Sequence, residues 1–134
     1  MNRRYILACL AVLLFMFGYE CLLHRVLLAH FYMELPDLWR NQPEMTWLIL
    51  YQIFFAFLFG FIFTKGYENR GIAEGARYGW WIGLLLTPLN LMWYAVLPLQ
   101  PMLIVGWCVG GLIEWTIAGM ILAAIYRPLE SRRF

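Results

Sequence analysis

Four stretches of this 134-residue chain, 5–23, 45–64, 78–97 and 102–126, are almost free of charge, and each is long enough to cross a bilayer. A hydrocarbon core roughly 30 Å thick takes about 20 apolar residues as an α-helix. Without water, every backbone N–H and C=O there must be bonded internally, which selects helices over open sheet. A chain that is 63% hydrophobic and only 13% charged has too little polar surface to cover a soluble core of this size. The expected fold is all-α: one integral membrane domain, an antiparallel bundle of four transmembrane helices at about 5–27, 45–64, 76–97 and 102–126.

The net charge of +2 is too small to imply a nucleic-acid partner, and the distribution of charge says more. Arg3, Arg4, Lys65, Arg70, Arg77, Arg127, Arg132 and Arg133 lie at the two ends or between the second and third apolar stretches. The connection between the first and second carries only Arg25 and Arg40, offset by Glu34, Asp37 and Glu44. Cytoplasmic loops are the ones enriched in Lys and Arg. Both termini and residues 65–77 are therefore expected in the cytoplasm, and residues 25–44 and the turn at 98–101 on the other side. The expected location is the inner (plasma) membrane of a bacterium. Asn2-Arg3-Arg4 before an apolar run imitates a secretory signal, but the run ends in Phe17-Gly18-Tyr19-Glu20-Cys21 without a small-residue cleavage site. An uncleaved first helix is expected.

Cys9, Cys21 and Cys108 form no C-x-x-C pair, so dithiol redox chemistry has no support, and gap-filling apolar thiols are the plainer reading. Cys21 and Cys108 are placed by the topology near the same outer face. The interhelical packing is expected to run on small residues. Gly71, Gly75, Gly79 and Gly83 recur every fourth residue, on one ridge of the third helix. The fourth helix has a matching row in Gly106, Gly110, Glu114 and Ala118. In lipid, close backbone approach through small residues is a main source of helix association, so these rows are expected to face each other across the tight 98–101 turn. Pro88 is expected to kink the third helix, with Thr87 and Asn90 beside the freed carbonyl.

Ionisable side chains at membrane depth cost at least about 2.5–3.5 kcal/mol on insertion scales and so require an explanation. Glu20 and Glu114 are two such groups. At about 1.5 Å per residue, Glu20, Gln52, Asn90 and Cys108 come to a similar depth, with Glu114 deeper. His24 follows Glu20 by four residues on the same helix face. Glu20, His24, Gln52, Asn90 and Glu114 thus form a possible intramembrane polar or proton site. Its uses range from a plain structural contact, through proton or ion handling, to a metal or catalytic site. The ligand set for a metal is incomplete, and neither a catalytic nor a cofactor-binding motif is present. Residues 27–40, rich in aromatics, suit a segment lying at the outer interface. Trp80, Trp81, Trp93 and Trp107 read as interfacial anchors, and Glu74 and Arg77 as a surface pair.

Gly18-Tyr19, the 24–32 stretch, Trp39-Arg40, Glu74-Gly75-Ala76-Arg77-Tyr78-Gly79 and the glycine-rich fourth helix ending Ile125-Tyr126-Arg127 carry a resemblance. In them the chain resembles small four-helix bacterial membrane families of unknown function. The resemblance implies the fold and no activity. Three functions are expected, in this order. The first is a non-enzymatic structural or accessory component, assembling with itself or with a larger membrane partner in the lipid bilayer. The second is a small proton-coupled transporter using Glu114 and Glu20. The third is a lipid-active enzyme at the outer interface using His24 and Glu20.

Overall fold

Helix boundaries fall where the backbone chemistry changes. Pro101 opens a helix, where its missing N–H is not needed. Gly66 closes one by donating its N–H to the Phe63 carbonyl. The computed structural model describes residues 3–126, and no strand occurs among them. Its elements are α1 (Arg3–Leu22), a π-helical turn (Leu23–Leu27), α2 (Ala29–Met33), a 3-10 turn (Pro36–Leu38), α3 (Met45–Lys65), α4 (Ile72–Val96) and α5 (Pro101–Ile125).

Three of these, Arg3–Leu27, Met45–Lys65 and Pro101–Ile125, are long and apolar enough to cross a membrane, consistent with an integral membrane protein. The 25-residue α4 has the length. Trp80, Trp81, Thr87, Pro88, Asn90, Trp93 and Tyr94 reduce its hydropathy, so it is not the equal of the other three that the sequence suggested.

α4 begins at Ile72, earlier than the expected start near residue 76, and the cause is Glu74. Its carboxylate is buried and accepts the backbone N–H groups of Glu68 (2.6 Å) and Arg70 (2.7 Å). Asn69 and Gly71, at φ of 61° and 75°, turn the chain back over it. A carboxylate in the first helical turn also suits the positive end of the helix dipole. The expected Glu74–Arg77 pair does not form. Arg77 and Arg70 reach Glu68 instead, at 3.7 Å and 2.8 Å.

The tightest joint is α4 against α5. A Cβ on Gly79 would lie 1.9 Å from the Trp115 carbonyl oxygen, and one on Gly75 2.0 Å from that of Gly119. Gly83 meets the backbone of Leu112. The surface of α5 that receives the α4 ridge is therefore Leu112, Trp115, Thr116 and Gly119, not the row expected from the sequence. Gly106 and Gly110 face the other way, where a Cβ would collide with Leu28 and Leu23. Tyr19 reinforces that second joint by donating to the Gly110 carbonyl at 2.8 Å. Gly71 is not part of the ridge: it precedes α4 and has open space around it.

α1 lies between α5 and α3. Gly60 of α3 makes room for the Cys9 thiol, 2.6 Å from where a Cβ would be. One end of the bundle is filled solid by Val12 and Met16 of α1, Phe59 and Phe63 of α3, and Trp115, Ala118 and Leu122 of α5. Tyr78 brings α4 into this core, its ring tilted 41° against that of Phe59 with centroids 4.7 Å apart and its hydroxyl donating to the Phe59 carbonyl at 2.7 Å.

α4 runs helically through Pro88. Neither neighbour serves the carbonyl of Leu84 that the proline leaves unbonded: Thr87 donates to Gly83 O (3.0 Å) and Asn90 to the Cys108 sulfur (3.9 Å).

Candidate functional site

At the opposite end the helices diverge. Residues 41–51 are exposed throughout, as are 91–96. The 28–39 segment folds over this end through a small apolar cluster of Leu23, Leu28, Leu99, Leu103 and Ile104. Beneath it lies a cavity of about 1380 Å³, larger than the roughly 300–1,000 Å³ usual for small-molecule sites. α1, α3, α4, α5 and the connecting segment all contribute to its wall.

Glu20 is the central polar group of that wall. Tyr51 Oη donates to its Oε1 at 2.5 Å and Gln52 Nε2 to its Oε2 at 2.8 Å. The two donors are consecutive on α3, so they reach the carboxylate from different sides of the same helical turn. Among the described residues, no Lys or Arg forms a salt bridge with Glu20.

A second cluster stands one turn further along α1. Tyr32 Oη is 2.6 Å from His24 Nδ1 and accepts the indole N–H of Trp107 at 2.7 Å. Because tryptophan only donates, the phenolic proton is free for the imidazole nitrogen. Trp39 closes the group, its ring 5.0 Å from Tyr32 and 6.4 Å from Trp107, with its own indole nitrogen buried and unpartnered. Burial pushes the Tyr32 phenol up to about 12, with the Glu20 charge adding to the rise and the Trp107 donor opposing it. His24 sits in the π-helical turn, closed by the Leu28 N–H to the Leu23 carbonyl at 2.9 Å. Such wide turns recur at functional sites.

The expected polar layer is therefore divided. Glu20 and Gln52 meet directly. His24, placed on the Glu20 face by spacing, bonds Tyr32. Asn90 pairs with Cys108. Glu114 forms no hydrogen bond with the other four. It is 5% exposed, within reach of the charge of Glu20 and close enough to bear on Tyr19 and Tyr51, and its Oε1 has no partner. It lies behind the cavity wall, not on it. All three cysteines are free thiols; Cys21 lines the cavity.

Tyr51, Tyr32, Trp39 and Trp107 are site residues that sequence reasoning passed over. Aromatics near a predicted interface read as anchors, and only Tyr51, adjacent to Gln52 on a helix otherwise apolar at that depth, left a trace. Among the described residues no group of three or more His, Cys, Asp and Glu side chains is placed to hold a metal ion. Compared with known proteins, the chain matches no family model, no curated protein and no solved structure.

Proposed function

We propose that this chain is a four-span membrane protein that carries a small lipid-soluble molecule, held in the open half of the bundle beside Glu20: a small permease or carrier. One observation supports it above the rest. A large cavity within apolar helices brings together a carboxylate, two donors that orient it, and an aromatic wall. A concave, mainly apolar site with a few convergent polar groups is what small-molecule recognition requires, and an ionisable group at membrane depth marks a pathway by default.

The alternative of a purely structural component rested on small-residue surfaces available to a partner helix. Those surfaces are engaged within the chain: Gly75, Gly79 and Gly83 by α5, Gly106 and Gly110 by Leu28 and Leu23. The lipid-enzyme alternative is supported less well, because among the described residues no carboxylate bonds His24 to complete a nucleophile–base–orienter set. At 25 residues α4 is about 37 Å long, enough for a fourth span. The Arg and Lys asymmetry supports an orientation with residues 65–77 in the cytoplasm.

Native mass spectrometry of the full-length protein released from mild detergent tests the reading. A bound small molecule is expected on the wild type and lost from Leu48→Trp, which fills the cavity from the α3 side. A stoichiometric protein partner with an empty cavity would favour the structural component instead.

A further inference from the structure

The charge balance of the cavity goes further than its size. Both oxygens of Glu20 are bonded by neutral groups, a phenol and a carboxamide, so its negative charge is stabilised but not cancelled. Arg40, on the same wall, is neutralised by Glu44 at 2.5 Å. Arg25 also lines the cavity, exposed and next to His24 in the same π-helical turn, and forms no salt bridge with Glu20. Among the described residues, Glu20 is therefore a carboxylate of the wall with no salt-bridge partner, and its field reaches Tyr32 and Tyr51. Beside it stand three rings in mutual contact, Tyr32, Trp39 and Trp107, all on the cavity surface. Aromatic faces attract cations, by about 2 kcal/mol or more when desolvated, and tryptophan does so best. Anion and neutral ligands gain nothing from this pairing, and an anion would be repelled by Glu20.

We infer that the ligand of the open half is a lipophilic organic cation, its charge set against Glu20 and its apolar body against the Tyr32–Trp39–Trp107 wall. The inference rests on the ligand-binding reading above and names its substrate class. Charge is held on a carboxylate that neutral donors have already oriented, so the site is formed before the ligand arrives. A volume of about 1380 Å³ suits a bulky ion better than a small ammonium, which would leave most of the wall in contact with lipid or water.

The test isolates charge from shape, using tetraphenylphosphonium, tetraphenylborate and neutral tetraphenylmethane with full-length protein in maltoside micelles, against empty micelles. Saturable binding of tetraphenylphosphonium alone is expected. Glu20→Gln should weaken it about tenfold or more, while Glu20→Asp, which keeps the charge, should remain within about threefold of the wild type. Should Glu20→Gln fail to fold, the charge series on the wild type decides by itself. Saturable binding of tetraphenylborate or tetraphenylmethane as tight as that of the cation overturns the cation class and leaves the ligand-binding reading standing. So does a folded Glu20→Gln with unchanged affinity. If none of the three binds saturably and the native mass spectrum shows an empty cavity, the ligand-binding reading falls as well.

Discussion

The two ends of the bundle use the same residue types to opposite effect. Toward the 66–71 loop, Phe59, Phe63, Tyr78 and Trp115 pack as tilted rings across three helices, with centroids 4.7–5.3 Å apart, in or against the buried core. Toward the 28–44 segment, Tyr32, Trp39, Tyr51 and Trp107 turn one side to a cavity. In the first region Tyr5 and Tyr78 donate to the helix carbonyls of Phe57 (2.8 Å) and Phe59 (2.7 Å). On the cavity wall Tyr51 and Tyr32 bond polar side chains instead, Glu20 and His24. Aromatic content alone thus says nothing about whether a region is core or site. What separates them is how closely the backbones approach, and that is decided by glycine: Gly75 and Gly79 bring α4 onto α5 at one end, while α4 has no glycine between Gly83 and its end at Val96, and its outer turns stand exposed.

Gly79→Ala attacks that difference most directly. Its methyl has no place beside the Trp115 carbonyl, so α4 must retreat from α5, at about 3 kcal/mol, the top of the overpacking range. Unfolding followed in mixed micelles reads the loss. An unchanged midpoint would mean that the closed end is held by its rings and not by backbone contact.

Phe59→Ala against Trp93→Ala compares the halves ring for ring. In lipid the transfer term largely vanishes and the cavity term remains, roughly 2 kcal/mol for the fully packed Phe59. Trp93, 47% exposed and on the cavity margin, should cost within about 0.5 kcal/mol. Equal losses in the same micelle assay would erase the distinction between core and wall.

The smallest effect is a titration. Tyr32 has its phenol raised from 10.0 to about 12, so its neutral form is the one the fold favours. The associated stability is complete below pH 10 and is lost as the pH rises through about 12. The tyrosinate absorbance difference between wild type and Tyr32→Phe should therefore show one step near pH 12. A step near pH 10 would place Tyr32 in water and the His24–Tyr32–Trp107 cluster out of the site.

Much of this organisation was legible in advance, and the part that was not has a common cause. Long uncharged runs dictate helices because an unpaired backbone group in hydrocarbon is so costly. Four-residue spacing puts Gly75, Gly79 and Gly83 on one face, because periodicity is a property of a single helix. Which face of α5 receives that ridge depends on the rotation of one helix about its axis relative to another, and no spacing within either records it. Gly106 and Gly110 meet Leu28 and Leu23 for that reason. Depth along the helix likewise put Glu20 level with Gln52, yet also level with Asn90, which turned to Cys108.

By itself, then, the sequence determined the helical content, the apolar character of three long segments and the presence of two acids among them. Each follows from local chemistry that the chain cannot escape. Tertiary structure alone decided that one end closes and the other opens. It also decided that Glu20 is held by Tyr51 and Gln52 while Glu114 is sealed behind them, and that Tyr32, Trp39 and Trp107 form a wall. These depend on helix rotation and backbone separation, degrees of freedom set only when the helices meet.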